Sequence, residues 1–299
     1  MLFGALFLLI ARSTAAAEGV RSGLALSYRS ILPALFPTAV VCGMIGELAD
    51  HLPLPATATV WLTAQLCGFP LGIKTAVRAY RRGLINADQC LRLSRCCANA
   101  SPSFLIGYFG GVLRGDRTAG LLLYSGQLAL SFLIALRHGV FSGEPPLPQP
   151  HRPLIALLTE GIGGAASGCL TLTAYVAAFS AIAALCAELP FFSRWYGFLE
   201  LTGGITALPP MPLWYCGMMV GFSSLSVFLQ NAAFLVGAGL SPLPMLHSKL
   251  IYAGGLAFAA ACPQAALFFF FFALFLISFD KRRKKSYNNL NVKREWRSL

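Results

Sequence analysis

From Leu250 to Phe279 the chain runs thirty residues without one charged side chain. A soluble core does not call for such a run. Hydrocarbon does, because a membrane-crossing helix takes about 20 apolar residues. At about 1.5 Å per residue the run exceeds one straight crossing. Pro263 therefore predicts a kink in it, or two shorter helices. Ile31–Ala49, Thr118–Leu136 and Ala165–Ala187 also fit crossings, the last with small residues that suit close helix packing. Composition agrees. Charged residues make up 11% of the chain and hydrophobic ones 57%, whereas soluble domains carry about 25% charged residues. The fold class read from this is all-α integral membrane, with about eight membrane segments.

The chain divides into five stretches. Residues 1–17 read as a first membrane segment or signal anchor, in preference to a cleaved signal. Residues 18–138 and 154–279 read as two repeats. Between them, residues 139–153 hold Pro145, Pro146, Pro148, Pro150 and Pro153 and cannot cross a membrane. Residues 280–299 form a basic tail that includes Lys281, Arg282, Arg283, Lys284 and Lys285. The positive-inside rule places that tail in the cytoplasm. A juxtamembrane basic cluster normally meets anionic lipid, so nucleic acid is not the expected partner.

The repeat reading rests on recurring pairs. Glu47-Leu48 and Glu200-Leu201 are 153 residues apart, and so are Gly68-Phe69 and Gly221-Phe222. Glu18-Gly19-Val20 recurs as Glu160-Gly161-Ile162 at a spacing of 142. The apolar segments around Gly68-Phe69-Pro70 and Gly221-Phe222-Ser223-Ser224 are interrupted, and each reads as a helical hairpin that enters the membrane and turns back. Asn99-Ala100-Ser101-Pro102-Ser103 makes a third break. Non-helical backbone at membrane depth survives only where protein buries it or where it lines a cavity. Paired breaks in two halves are the sequence pointer to a transporter's binding site.

The candidate residues follow from those breaks. Gly68 and Gly72 let backbone approach a ligand closely, and Lys74 adds positive charge in the first turns of the next helix. Helix N-termini at the tips favour anions. Ser223, Ser224 and Ser226 offer hydroxyls at the second tip, with Gln230 and Asn231 one to two turns on. Ordinary intramembrane hydrogen bonding would explain the serines as well. Asn99, Ser101 and Ser103 flank Pro102, which frees a carbonyl. A bound ligand or its water could pair with those groups, and a kink between packed helices is the alternative account of that cluster. Glu47 and Glu200 are candidates for binding a coupling proton or cation, because a carboxylate in hydrocarbon usually marks an ion or substrate path. Each also suits a helix end in interfacial water. Arg78, Arg81 and Arg82 read as a solvated basic loop, and Lys249 as a residue that snorkels to the interface.

Several classes are excluded or left without support. The chain has no H-E-x-x-H, Walker loop or G-x-S-x-G, so no enzyme is indicated and no cofactor is called for. The four histidines and nine cysteines form no metal-ligand spacing, and no C-x-x-C occurs. The cysteines read as small buried hydrophobes.

Cys67-Gly68-Phe69-Pro70-Leu71-Gly72-Ile73-Lys74-Thr75 through Arg82-Gly83-Leu84-Ile85, with Asn99 to Gly107, resembles the sporulation integral membrane protein (YlbJ-like) family. Gly221-Phe222-Ser223-Ser224-Leu225-Ser226-Val227 followed by Gln230 resembles that family's second motif. The resemblance runs from about residue 18 to 279. Phe228 departs from it, standing where related proteins place a polar residue. These proteins belong with nucleoside-recognition Gate-domain proteins, related to concentrative nucleoside transporters. The resemblance implies inverted repeats, re-entrant hairpins and an elevator-like mechanism. It further implies a bacterial membrane, the mother-cell-derived outer forespore membrane, and passage of dipicolinate, a small aromatic dianion. Two rival expectations are a non-transporting scaffold of the spore envelope and a nucleoside-type transporter. The sequence leaves the oligomeric state open, a homo-oligomer included.

Overall fold

A computed structural model describes residues 2–49, 53–143, 153–189, 192–207, 211–267, 270–271 and 274. The basic tail, Asp50, His51 and residues 144–152 of the linker lie outside the described residues. Every regular element among the described residues is helical. Four helices are long and apolar enough to cross a membrane: Ser13–Gly46, Arg117–Arg137, Leu154–Cys186 and Leu213–Val236. The chain is thus an all-helical protein built for a bilayer. Large apolar side chains that face outward agree, among them Phe7, Ile155, Leu170 and Ile251. Only lipid solvates so much exposed hydrocarbon without cost.

The chain opens with α1 (Leu2–Ala11) and α2 (Ser13–Leu26). A π-helical turn, Ser27–Ile31, joins α2 to α3 (Leu32–Ala49). A π turn is the expected device there. Proline clashes with the carbonyl four residues back, and widening the turn ahead of Pro33 relieves that clash. Next come α4 (Ala56–Cys67), α5 (Leu71–Arg81) and α6 (Ala87–Cys97). Asn86 starts α6 with a capping box, its side chain accepting from Gln89 N while Gln89 reaches back to the Asn86 N–H. A second π-helical segment, Ser103–Leu113, follows Pro102 and leads to α7 (Arg117–Arg137).

The second half holds α8 (Leu154–Cys186), α9 (Phe192–Leu199), α10 (Leu201–Ala207), α11 (Leu213–Phe222), α12 (Ser224–Val236) and α13 (Leu243–Ala261). The expected crossings Thr118–Leu136 and Ala165–Ala187 correspond to α7 and to most of α8. In the long uncharged run, α13 stops at Ala261 and Cys262 breaks the helix just before Pro263.

Small residues set the two closest helix contacts. On α2, a Cβ at Gly19 would stand 2.5 Å from Ser180 O, and one at Gly23 2.8 Å from Ala177 Cα, both on α8. On α3, Gly43 faces Gly161. The pairing order shows that α2 and α3 run antiparallel to α8. On α11, Gly217 faces Leu256 O and Gly221 faces Tyr252 O, so α11 runs antiparallel to α13. Gly19/Gly23 and Gly217/Gly221 are both G-x-x-x-G pairs, the spacing that lets helix backbones touch in a membrane.

Two apolar clusters fill the rest. One joins α4, α5 and α6 to Ala135 on α7, Leu235 on α12 and Met245 on α13. The other joins Phe104, Leu105 and Phe109 to Leu123 on α7, Met219 on α11 and Leu256 on α13. Between the two lie the chain breaks.

Candidate functional site

The first break is a fold-back, as expected. Gly68 ends α4 at φ +68, a conformation glycine adopts without strain, and α5 packs back on α4. The second is not a hairpin: α11 and α12 do not pack on each other. The chain turns there through Ser223 and Ser224, at φ 67 and 54. The 153-residue repeat therefore misaligns the two glycines. Gly68 serves a backbone turn, whereas Gly221 lies inside α11 and makes room for the α13 backbone.

The breaks at Gly68 and Asn99 are fastened together. Phe69 N donates to Asn99 O at 2.7 Å. A Cβ at Gly68 would stand 2.4 Å from Ser101 N, and one at Gly72 2.2 Å from Cys97 O. Both glycines are thus needed for packing and are not open to a ligand. Asn99 is buried and its amide donates to Gln65 Oε1, Cys96 O and the Tyr252 hydroxyl at 3.3, 3.0 and 3.2 Å. Gln127 brackets Ala100 with two bonds, accepting from its N–H at 3.0 Å and donating to its carbonyl at 2.8 Å. Ser101 Oγ lies 3.0 Å from Ser103 Oγ, which lies 3.1 Å from Thr38 Oγ1 on α3.

Lys249 of α13 ties in the break at Ser223. It is 2% exposed, and its ammonium donates to Ala98 O and, at 2.7 Å, to Ser223 Oγ. It also lies over the Tyr252 ring, 5.3 Å from the centroid. Lys249 therefore does not snorkel. The periodicity of Met245, Ser248, Lys249, Tyr252 and Leu256, all buried, marks it as part of the inward stripe of α13.

Along α12 run further buried polar groups. Ser224 Oγ and Ser226 Oγ are 3.0 Å apart, and Asn231 donates to Val227 O at 2.8 Å. The Asn231 carbonyl oxygen and both amide atoms of Gln230 are buried without a hydrogen-bond partner. Native structures leave few such groups orphaned, and those that occur point to water, a ligand or function.

Lys74 lies elsewhere. It is half-buried and lines a cavity of about 110 Å³ between α3, α5 and α8. Arg78 and Arg82 stand one and two turns farther on the same face, and Glu160 and Gly161 face them from α8. The two arginines are exposed, as a solvated basic segment is, and they also edge this cavity. Arg81, also read as part of that loop, instead donates to Gly237 O at 2.7 Å. Among the described residues, no hydrogen bond joins Lys74 to Ser223, Ser224, Gln230 or Asn231, and none of those four lines the cavity at Lys74. A larger cavity, about 380 Å³, lies between α2, α8 and α9, and among the described residues its charged lining residue is Glu18.

Of the coupling candidates, Glu200 is buried and caps α10. Its carboxylate accepts from Thr202 N at 3.1 Å and from Gly203 N, the pattern of an N-cap side chain. Glu47 belongs to α3, but its side chain lies outside the described part of the structure. Among the described residues no group of three or more metal-ligating side chains occurs.

Comparison with family models, with characterised proteins and with solved structures found no match to this chain.

Proposed function

We propose that this chain is a membrane transporter of a small anionic solute. The observation that carries the reading is the cavity at Lys74. Lys74 and Arg78 of α5 and Arg82 just past its end line it, and among the described residues Glu160 of α8 is the acidic group that faces them. Cations line a cleft in a chain whose helices suit a bilayer, and charge there marks a solute path. The cavity volume of about 110 Å³ suits a small solute and not a drug-sized one. Arginine and lysine together suit carboxylate groups, the arginines through paired N–H donors.

By the sequence resemblance, the solute is dipicolinate and the membrane the outer forespore membrane. The finer architecture joins about eight membrane segments, read from the apolar runs, to what the resemblance implies, two inverted repeats moving in an elevator-like manner. The buried, unpartnered amide of Gln230 and carbonyl oxygen of Asn231 are the second element of the proposed path.

The test is uptake of labelled dipicolinate into proteoliposomes by wild type, Lys74→Ala and Ser224→Ala. Saturable uptake by wild type that Lys74→Ala abolishes is the expected result. A well-folded wild type that takes up none, with or without proton and sodium gradients, refutes dipicolinate as solute. A panel of nucleosides and dicarboxylates then separates a different solute from the scaffold alternative, which predicts no uptake of any.

A further inference from the structure

Lys249 is buried in the protein, yet among the described residues no carboxylate pairs with it. A buried ammonium normally needs an opposite charge. What faces it instead is a backbone carbonyl at one helix end and a hydroxyl at the junction of two helices. Ala98, whose carbonyl accepts from Nζ, caps the C-terminus of α6. Ser223, whose hydroxyl accepts from Nζ at 2.7 Å, stands between the C-terminus of α11 and the N-terminus of α12. A helix C-terminus carries roughly −0.5 of an elementary charge. That of α6 offsets part of the ammonium charge, while at Ser223 the opposed ends of α11 and α12 cancel and the hydroxyl oxygen itself is the acceptor. The Tyr252 face adds a third side at 5.3 Å. Asn99 holds that ring by donating to its hydroxyl at 3.2 Å.

A carbonyl oxygen at the C-terminus of α6, a hydroxyl oxygen and an aromatic face make a monovalent-cation site. We infer that Lys249 fills that site with a tethered cation, and that a free monovalent ammonium ion takes its place when the tether is cut. The chain thus carries its own cation at the point where the breaks at Ala98 and Ser223 meet. It needs no dissolved ion to hold those breaks together. The inference stands apart from the transport reading, because it is tested on stability without any solute.

The experiment is thermal melting of purified protein in detergent. Lys249→Ala removes the propylammonium part of the side chain and leaves its space. Lys249→Met removes the charge and keeps the space filled. Both variants are expected to melt at least about 5 °C below wild type, since each strips a buried carbonyl and hydroxyl of their donor. Propylammonium is expected to recover at least half of that loss in Lys249→Ala, and none in Lys249→Met. Tetramethylammonium, which has no N–H, is expected to recover neither. Sodium and potassium arms show whether an alkali ion also fits. Absence of propylammonium recovery in Lys249→Ala overturns the inference, and so does a Lys249→Met protein that melts with wild type. If Lys249→Ala gives no folded protein, Ser223→Ala decides instead. It removes one oxygen of the site, and an unchanged melting temperature there overturns the inference.

Discussion

Gly221→Ala tests how tightly α11 and α13 close around Lys249. A methyl group at Gly221 would stand 2.3 Å from Tyr252 O, 2.5 Å from Tyr252 C and 2.7 Å from Ala253 N. All three are backbone atoms, so no side chain can swing aside. The two helices must part by roughly 1 Å to regain ordinary van der Waals contact. Overpacking of this kind costs about 1–3 kcal/mol. The parting also acts on the bond from Lys249 to Ser223, 2.7 Å long and within one turn of the contact on each helix. Lengthened by that amount, it passes the hydrogen-bonding limit of about 3.5 Å. Losing a bond from a charged donor costs about 1.5–3 kcal/mol. The total is about 2.5–6 kcal/mol, and each kcal/mol lowers the midpoint by about 2–4 °C in a chain of this size. Gly254→Ala is the control. It lies in the same α13, nothing stands within 4 Å of its added methyl, and Ala outranks Gly in a helix by about 1 kcal/mol. Melting in detergent should therefore fall by about 10 °C for Gly221→Ala and hold or rise for Gly254→Ala. If Gly221→Ala melts within about 1 °C of wild type, the close packing inferred at this contact is wrong.

Three other perturbations follow from the geometry. Gln230→Leu removes a buried amide that has no partner; melting should not fall, because an unpaired buried polar group is itself costly, while dipicolinate uptake should drop at least about tenfold, about 1.4 kcal/mol. Asp116→Ala removes the α7 cap, in which Asp116 accepts from Thr118 N at 2.9 Å and Ala119 N at 3.2 Å; a loss of about 1 kcal/mol is expected in melting experiments. His138, just past α7, has its pKa lowered by burial and then by Arg95, Arg137 and Arg92. The fold thus disfavours its proton, and the unfolded chain binds it first as pH falls. His138 should contribute stability above the ordinary histidine pKa, about 6.5, that is lost as pH drops below it. A melting series from pH 8 to pH 5 should fall less steeply in His138→Gln than in wild type.

The breaks were legible in the sequence because glycine and proline punctuate apolar runs. Gly68, Pro70 and Pro102 each mark a place where the helix stops or changes its pitch. The four long apolar helices were legible for the same kind of reason, since length and hydropathy alone define them. What sequence reading could not separate is a glycine that turns the backbone from a glycine that admits a neighbour. Gly68 does the first and Gly221 the second, so the two matched glycines are not equivalent, although the stretch 221–224 does contain the turn. Lys249 was missed for a different reason. Beside a long uncharged run, a cation reads as the end of the run. Only its three-residue spacing from Tyr252 and four-residue spacing from Met245 set it on the buried face. Its partners are the Ala98 carbonyl, which leaves no residue-type signal, and the Ser223 hydroxyl, which the sequence offers without showing what it meets.

Ser223 and Ser224 sit at positive φ, where glycine would be at ease. Holding a non-glycine residue there costs about 1–2 kcal/mol. Something must offset that cost, and the two hydroxyls do so unequally. Ser223 Oγ accepts from the Lys249 ammonium at 2.7 Å, a charged bond worth about 1.5–3 kcal/mol. Ser224 Oγ meets only Ser226 Oγ at 3.0 Å and the Val227 N–H at 3.4 Å, bonds worth about 0.5–1.5 kcal/mol at most. Glycine at either position relieves the backbone equally but forfeits a different bond. Ser224→Gly should therefore melt at or above wild type, and Ser223→Gly below Ser224→Gly by a gap of about 1–2 kcal/mol, a few degrees. Measured side by side, equal melting temperatures or the reverse order would show that the hydroxyl of Ser223 is not what keeps serine at this turn.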